Sequence, residues 1–251
     1  MKSENNSFRM GIRDGFPICL GYLSVSFAFG ISATGVGLAV WQTLLISMFN
    51  VTSAGQLAAI PIIAALGSIA ELVLTQLIIN LRYSLMGISL SQRLGGSVRM
   101  RDRFLIAFVN TDEVFAVATS KGTPLGRKYL YGLILTPYLG WSLGTLVGAV
   151  AGNLLPPILI SALGIAIYGM FVAIVVPDVK SDKRVAALVL SSATLSCLFK
   201  YLPYLSEISV GFVIIIISVT VSAVFAKFFP IADETVEDVA SEDGEGGALD
   251  E

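Results

Sequence analysis

Glu71, Arg82, Asp112 and Glu113 lie within long apolar stretches of this 251-residue chain, where a charge costs free energy unless a partner or a function retains it. Neighbouring acids in a medium of low dielectric resist ionising together, so Asp112, Glu113 or Glu71 can load and release a proton or balance a charge. The chain has no His, which leaves carboxylates as its proton carriers if a proton moves. The planar guanidinium of Arg82 suits a carboxylate, either that of Asp112 or Glu113 in an ion pair holding helices together, or that of a substrate. Glu71 and Arg82 share one helical stripe with Thr75 and Ile78. Eleven residues apart, their backbones are about 16 Å from each other, so each needs a different partner. Gln76, Asn80 and Tyr83 form an adjacent stripe. Placed near an interface, Glu71 would be an ordinary surface acid.

The elements that position these groups follow from composition. With 55% hydrophobic and 14% charged residues and a mean hydropathy of +0.82, the chain is an integral membrane protein rather than a soluble one. A span needs about 20 apolar residues, so the apolar length supplies roughly six to eight spanning or half-spanning segments. These are Phe16 to Val36, Trp41 to Ala65, Ile69 to Leu90, Phe104 to Thr119, Tyr129 to Val150, Ile158 to Val176, Val185 to Phe199 and Ile208 to Phe229. Short turn-like connectors favour an all-α polytopic bundle over a barrel of ten-residue strands. The domain reading is a cytoplasmic N-terminal segment over 1–14, a transmembrane transport domain over 15–230 and a disordered acidic cytoplasmic tail over 231–251. That tail holds nine acids and no base, so the remaining sixteen bases and nine acids give the membrane body a net +7. Cys19 and Cys197 have no metal or redox spacing and read as small buried hydrophobes. No metal, other cofactor or nucleic-acid partner is expected.

Three basic connectors belong on one side, the cytoplasmic one: Arg93 to Arg103, Lys121 to Lys128, and Lys180 to Arg184. With the N-terminus also inside, three full crossings before Arg93 would put the first of these outside. One segment in the first half therefore fails to cross. The stretch Trp41 to Ala65 is interrupted by Asn50-Val51-Thr52-Ser53-Ala54-Gly55-Gln56, and Phe104 to Thr119 by Asn110-Thr111-Asp112-Glu113. Both read as re-entrant pairs of half-helices, which at membrane depth are tolerated where they line a cavity and which in secondary transporters mark the substrate site. Small residues, Gly21, Gly30, Gly35 and Gly37 early on and Gly140, Gly144 and Gly148 later, are spaced for close helix contact.

The ordered set Gly15-Phe16-Pro17-Ile18-Cys19-Leu20-Gly21-Tyr22, Phe27-Ala28-Phe29-Gly30, Ser53-Ala54-Gly55-Gln56, Asn80-Leu81-Arg82-Tyr83 and Thr111-Asp112-Glu113 resembles the AzlC-like large subunit of branched-chain amino acid exporters. The resemblance spans most of the membrane body. It implies a secondary transporter of the cytoplasmic (inner) membrane that exports branched-chain or other hydrophobic amino acids together with a small AzlD-like membrane subunit. Two positions depart from the family's pattern: Tyr83 stands where the family commonly has His, and Ser53 where it has Gly.

Joined to the residue reading, this makes Thr52, Ser53, Gly55, Gln56, Asn80 and Arg82 the substrate-binding candidates. Glu71, Asp112 and Glu113 are the proton-coupling or charge-balancing candidates. A passive channel or an accessory membrane subunit uses similar polar groups and stays open as an alternative. An intramembrane enzyme is the weaker rival, since the chain lacks His for a triad or metal and has no GxSxG elbow.

Overall fold

The computed structural model describes residues 7–121, 124–152, 154–156, 158, 169, 172, 175–177 and 179–229. Among them the regular elements are helices: α1 (Phe8–Gly35), α2 (Val40–Phe49), α3 (Ser53–Ala64), α4 (Ile69–Gln92), α5 (Met100–Phe108), α6 (Asp112–Thr119), α7 (Arg127–Gly152), α8 (Lys183–Tyr201) and α9 (Val210–Phe228). The all-α polytopic expectation is met. Four of these, α1, α4, α7 and α9, are long and apolar enough to cross a membrane. The segment expected over Ile158 to Val176 lies largely outside the described residues, and the tail over 231–251 lies wholly outside them.

The core is a parallel pair, α1 beside α7, whose backbones touch because both present small residues at four-residue steps. A Cβ on Gly11 would collide with Tyr129 O, one on Gly15 would lie 2.6 Å from Leu133 O, and one on Gly140 would lie 2.7 Å from Cys19 O. Further along, Gly144 meets Leu23 and Ser26, Gly148 meets Phe27 O, and Gly152 meets Thr34. Each contact pairs residues about 121 apart in sequence, so the two helices run in the same direction and in one register. Lipid supplies no hydrophobic force between helices, and close van der Waals approach over small residues does the work instead. Gly30 joins this seam, whereas Cβ atoms on Gly21 and Gly35 would meet nothing within 4 Å. Gly37 has φ +93° and serves a turn, so three of the four early glycines are not packing residues. α1 also begins at Phe8, well before the expected start, because Gly11 and Gly15 are needed in the seam. Cys19 is half-buried against Gly140, while Cys197 is exposed on α8, which corrects the expectation that both are buried.

The parallel pair fixes the end of the bundle at which each segment begins and finishes. At its N-terminal end Lys121 Nζ lies 3.0 Å from Asp14, and Tyr129 OH donates to Asp14 at 3.0 Å. Arg93 reaches Thr119 O at 3.0 Å, and Leu125 exchanges backbone hydrogen bonds with Arg93 and Gly95. The C-terminus of α4, both ends of the α5–α6 segment and the N-termini of α1 and α7 therefore share one end, rich in Arg and Lys. α4 leaves the opposite end, where α1 finishes. Hence α2–α3 enters from that far end and returns to it, and α5–α6 does the same from the basic end. Both are re-entrant hairpins, as the charge count over the loops required. At 10 and 12 residues, α2 and α3 are about 15 and 18 Å long, and neither half can span.

Candidate functional site

Each hairpin breaks where its backbone loses helical partners and side chains take over. α2 stops at Asn50, and Thr52, in extended conformation, caps α3 by accepting from Gly55 N at 3.4 Å. The break is held by amides. Gln56, fully buried, donates to Asn50 O at 2.7 Å and Ser47 Oγ at 3.1 Å, and Ser47 in turn meets Thr145 Oγ1 of α7 at 2.5 Å. From α4, Gln76 donates to Gly55 O at 2.7 Å and accepts from Asn50 Nδ2 at 3.1 Å, bridging both halves. Asn80 donates to Gln76 O at 2.9 Å. α5 and α6 part at Val109 to Thr111, and Thr111 is the residue preceding α6.

The two tips meet at mid-depth, against the middles of α1 and α4, around a cavity of about 710 Å3. That lies within the roughly 300–1,000 Å3 of small-molecule sites. Its polar wall is Thr52 and Ser53 from one tip, Thr111, Asp112 and Glu113 from the other, Arg82 and Tyr83 from α4, and Tyr22 from α1. Its apolar wall includes Ile18, Val25, Val51, Ile79 and Trp141. Arg82 Nη2 is 2.8 Å from Asp112 Oδ2, and both side chains are about half exposed toward this space. Arg82 also donates to Tyr83 OH at 3.2 Å with its guanidinium 4.9 Å from the ring centroid, and Tyr83 OH donates to Thr52 Oγ1 at 3.4 Å. A chain of contacts, Asp112 to Arg82 to Tyr83 to Thr52, thus ties one hairpin tip to the other. Tyr22 OH bonds both Thr111 Oγ1, at 2.6 Å, and the Glu113 carboxylate, and its ring packs edge-on against Trp141 at 5.0 Å.

The two helix N-termini that face the cavity differ electrically. α6 begins with Asp112 and Glu113, whose charges already answer its partial positive end, whereas α3 has no acid in its first turn. The amide end of α3 at Ser53 and Ala54 lies on the cavity wall with no acid in its first turn to answer it.

Of the candidates from sequence, Thr52, Ser53, Arg82, Asp112 and Glu113 come together on the wall. Gly55, Gln56 and Asn80 sit behind it and hold the α2–α3 tip in place. Tyr22 and Trp141 line the site but had no assigned role. Tyr22 lies in the first stretch of the family-like set, and Trp141 follows a seam glycine, yet only the folded chain brings either to the tips.

Glu71 is elsewhere. It opens α4 at the far end, is 4% exposed, and accepts from Gly211 N at 3.0 Å and from Ser209 Oγ, which makes it the anionic cap of α9. Its contacts pin α9 to α4, and a Cβ on Gly211 would lie 2.6 Å from its Oε1. Glu71→Ala should lower folding stability by about 1–2 kcal/mol, the range for losing a cap and its dipole complement. Thermal unfolding in detergent checks this, and a melting curve identical to the parent's would mean α9 is held by packing alone.

The AzlC protein family matches residues 17–155, which run from α1 through both hairpins to just past α7. The inner membrane protein YgaZ of Escherichia coli K12 is 31% identical over 174 residues, covering 66% of this chain and 71% of its own. An uncharacterized membrane protein of Archaeoglobus fulgidus is 31% identical over 180 residues, covering 71% and 78%. One from Helicobacter pylori 26695 is 28% identical over 155 residues, covering 59% and 67%. No solved structure matches. With more than half its length matched and its hairpins inside that stretch, the chain belongs to the AzlC family of membrane transport proteins.

Proposed function

We propose that this chain is the large subunit of a secondary transporter that exports branched-chain or other hydrophobic amino acids across the inner membrane. The observation that carries the reading is the mid-depth cavity at the meeting of two re-entrant tips, with one cation, two carboxylates and one uncompensated helix N-terminus on a largely apolar wall. Those groups match a zwitterion. The substrate carboxylate fits the α3 amides at Ser53 and Ala54 with the Arg82 guanidinium. Its ammonium fits Glu113 and Asp112, and an aliphatic side chain fits Ile18, Val25, Ile79 and Trp141.

In this reading Asp112 and Glu113 carry any coupled proton, since both face the cavity, and substrate binding competes with the Arg82–Asp112 pair. The basic end faces the cytoplasm, along with both termini. The family relationship supports a small AzlD-like partner, and the broad face of α4, with Val73, Leu77, Leu81 and Leu85 exposed, offers lipid or such a partner a surface.

The test is efflux of radiolabelled leucine from proteoliposomes holding the chain and its partner, with and without a pH gradient. Saturable efflux that rises with the gradient is expected. Efflux that grows linearly with concentration would indicate a channel, and none with the partner present would sink the proposal.

A further inference from the structure

A second, smaller cavity of about 300 Å3 lies on the same groove, between α4 and the α5–α6 hairpin, and no function so far uses it. On α4, Ile79, Arg82 and Tyr83 line the main cavity, and Ser84, Gly87, Ile88, Leu90 and Ser91 line the smaller one. Ile79, Tyr83, Gly87 and Leu90 recur at three- and four-residue steps and run from one wall to the other. The hairpin repeats the order: Thr111, Asp112 and Glu113 face the main cavity, and Ile106, Ala107 and Asn110 the smaller. The two cavities are thus consecutive along both walls. Since α4 finishes and α5 starts at the basic end, the smaller cavity is the one nearer that end, with Arg103 on its wall. Arg82 and Asp112, paired at 2.8 Å on the main-cavity wall, each lie two positions along the chain from the smaller cavity's wall, at Ser84 and Asn110.

Two further features set this space apart from a packing flaw. Asn110 is 4% exposed, yet neither its amide nitrogen nor its amide oxygen has a hydrogen-bond partner. A buried amide left in that condition is costly unless a guest or water supplies the bonds. Gly87 adds room, since a Cβ built there would meet nothing within 4 Å.

We infer that the smaller cavity is the basic-end vestibule of the transport path, a transient subsite for the amino acid's charged head. This rests on the transport reading above. The zwitterion passes Arg103, exchanges bound water for the Asn110 amide, and reaches the main cavity when Arg82 and Asp112 part. The ion pair is then a gate as well as a wall.

The experiment uses the chain with its partner, Cys19 and Cys197 replaced by Ala, and single cysteines at Gly87, Ser91 and Leu85. Leu85 is 67% exposed on a different face of α4 and serves as the lipid-facing control. Sealed vesicles of both orientations are treated with a membrane-impermeant methanethiosulfonate reagent. Gly87→Cys and Ser91→Cys should react from the basic end, leucine should slow the reaction, and leucine flux should fall at least tenfold relative to the same variant before labelling. Leu85→Cys should stay unlabelled. No reaction at either vestibule position, equal reaction at Leu85, or labelled protein with undiminished flux would overturn the vestibule. Absence of flux in the unmodified parent would instead strike the transport reading, because water access at Gly87 and Ser91 is read independently of transport.

Discussion

Gly148→Leu is expected to abolish the folded protein. Gly148 faces Phe27 O across the α1–α7 seam so closely that even a single Cβ has no space, and the obstacle is backbone rather than a side chain that can turn away. Adding three further carbons forces the helices apart along their whole length, because the register that places Gly148 on Phe27 also places Gly144 on Leu23 and Gly140 on Cys19. Overpacking of an ordinary core costs about 1–3 kcal/mol, and a seam of backbone contacts should exceed that. Total stabilities are only about 5–15 kcal/mol, so one such change takes much of the margin. The monodisperse fraction in detergent and its melting temperature report the outcome. Gly35→Ala is the matched control, with nothing within 4 Å and a gain in helix propensity. If Gly148→Leu melts with the parent, α1 and α7 are not in backbone contact and the inferred topology of both hairpins loses its anchor.

Arg82→Gln should separate stability from transport. Its ion pair with Asp112 is about half exposed to the cavity, so solvent screening limits its contribution to folding to about 1 kcal/mol or less. Flux should respond far more. A charge-assisted bond to a substrate carboxylate is worth about 1.5–3 kcal/mol, which converts to a loss of roughly 10- to 100-fold in leucine efflux. The double variant Arg82→Gln/Asp112→Asn removes both charges and with them any uncompensated carboxylate. If Arg82 and Asp112 are only a strut to each other, the double variant recovers transport. If either meets the substrate or a coupled proton, transport stays low while the melting temperature returns. Recovery of flux in the double variant would therefore remove both Arg82 and Asp112 from the binding site.

Much of this arrangement was readable before folding, for identifiable reasons. Breaks at Asn50 to Gln56 and at Asn110 to Glu113 stood out because polar side chains interrupt stretches that lipid would otherwise keep apolar. Arg-rich loops on both sides of Phe104 to Thr119 made a simple crossing inconsistent. Arg82 was legible as a charge that needs a carboxylate at that depth, with Asp112, Glu113 and a substrate all open, and the structure pairs it with Asp112. Glu71 was harder. Its type and depth resemble a coupling acid, but it opens a helix, and its environment depends on Ser209 and Gly211, which lie some 140 residues away.

The linear order of residues by itself determined that the chain is helical, lies in a membrane, and carries two interrupted segments, because hydropathy and charge placement act locally against a solvent of known thickness. Tertiary structure alone decided that the interruptions meet. That depends on the parallel register of α1 and α7, which puts Tyr22 and Trp141 beside the tips, and on the Gln76 bridge that holds the α2–α3 break open. It also decided that the acid-free N-terminus of α3 and the acidic N-terminus of α6 face one space, where the difference between them matters. Contacts between residues far apart in sequence are set by which small-residue faces pair and by amide geometry; the four-residue glycine step marks a face fit for close packing but does not name its partner.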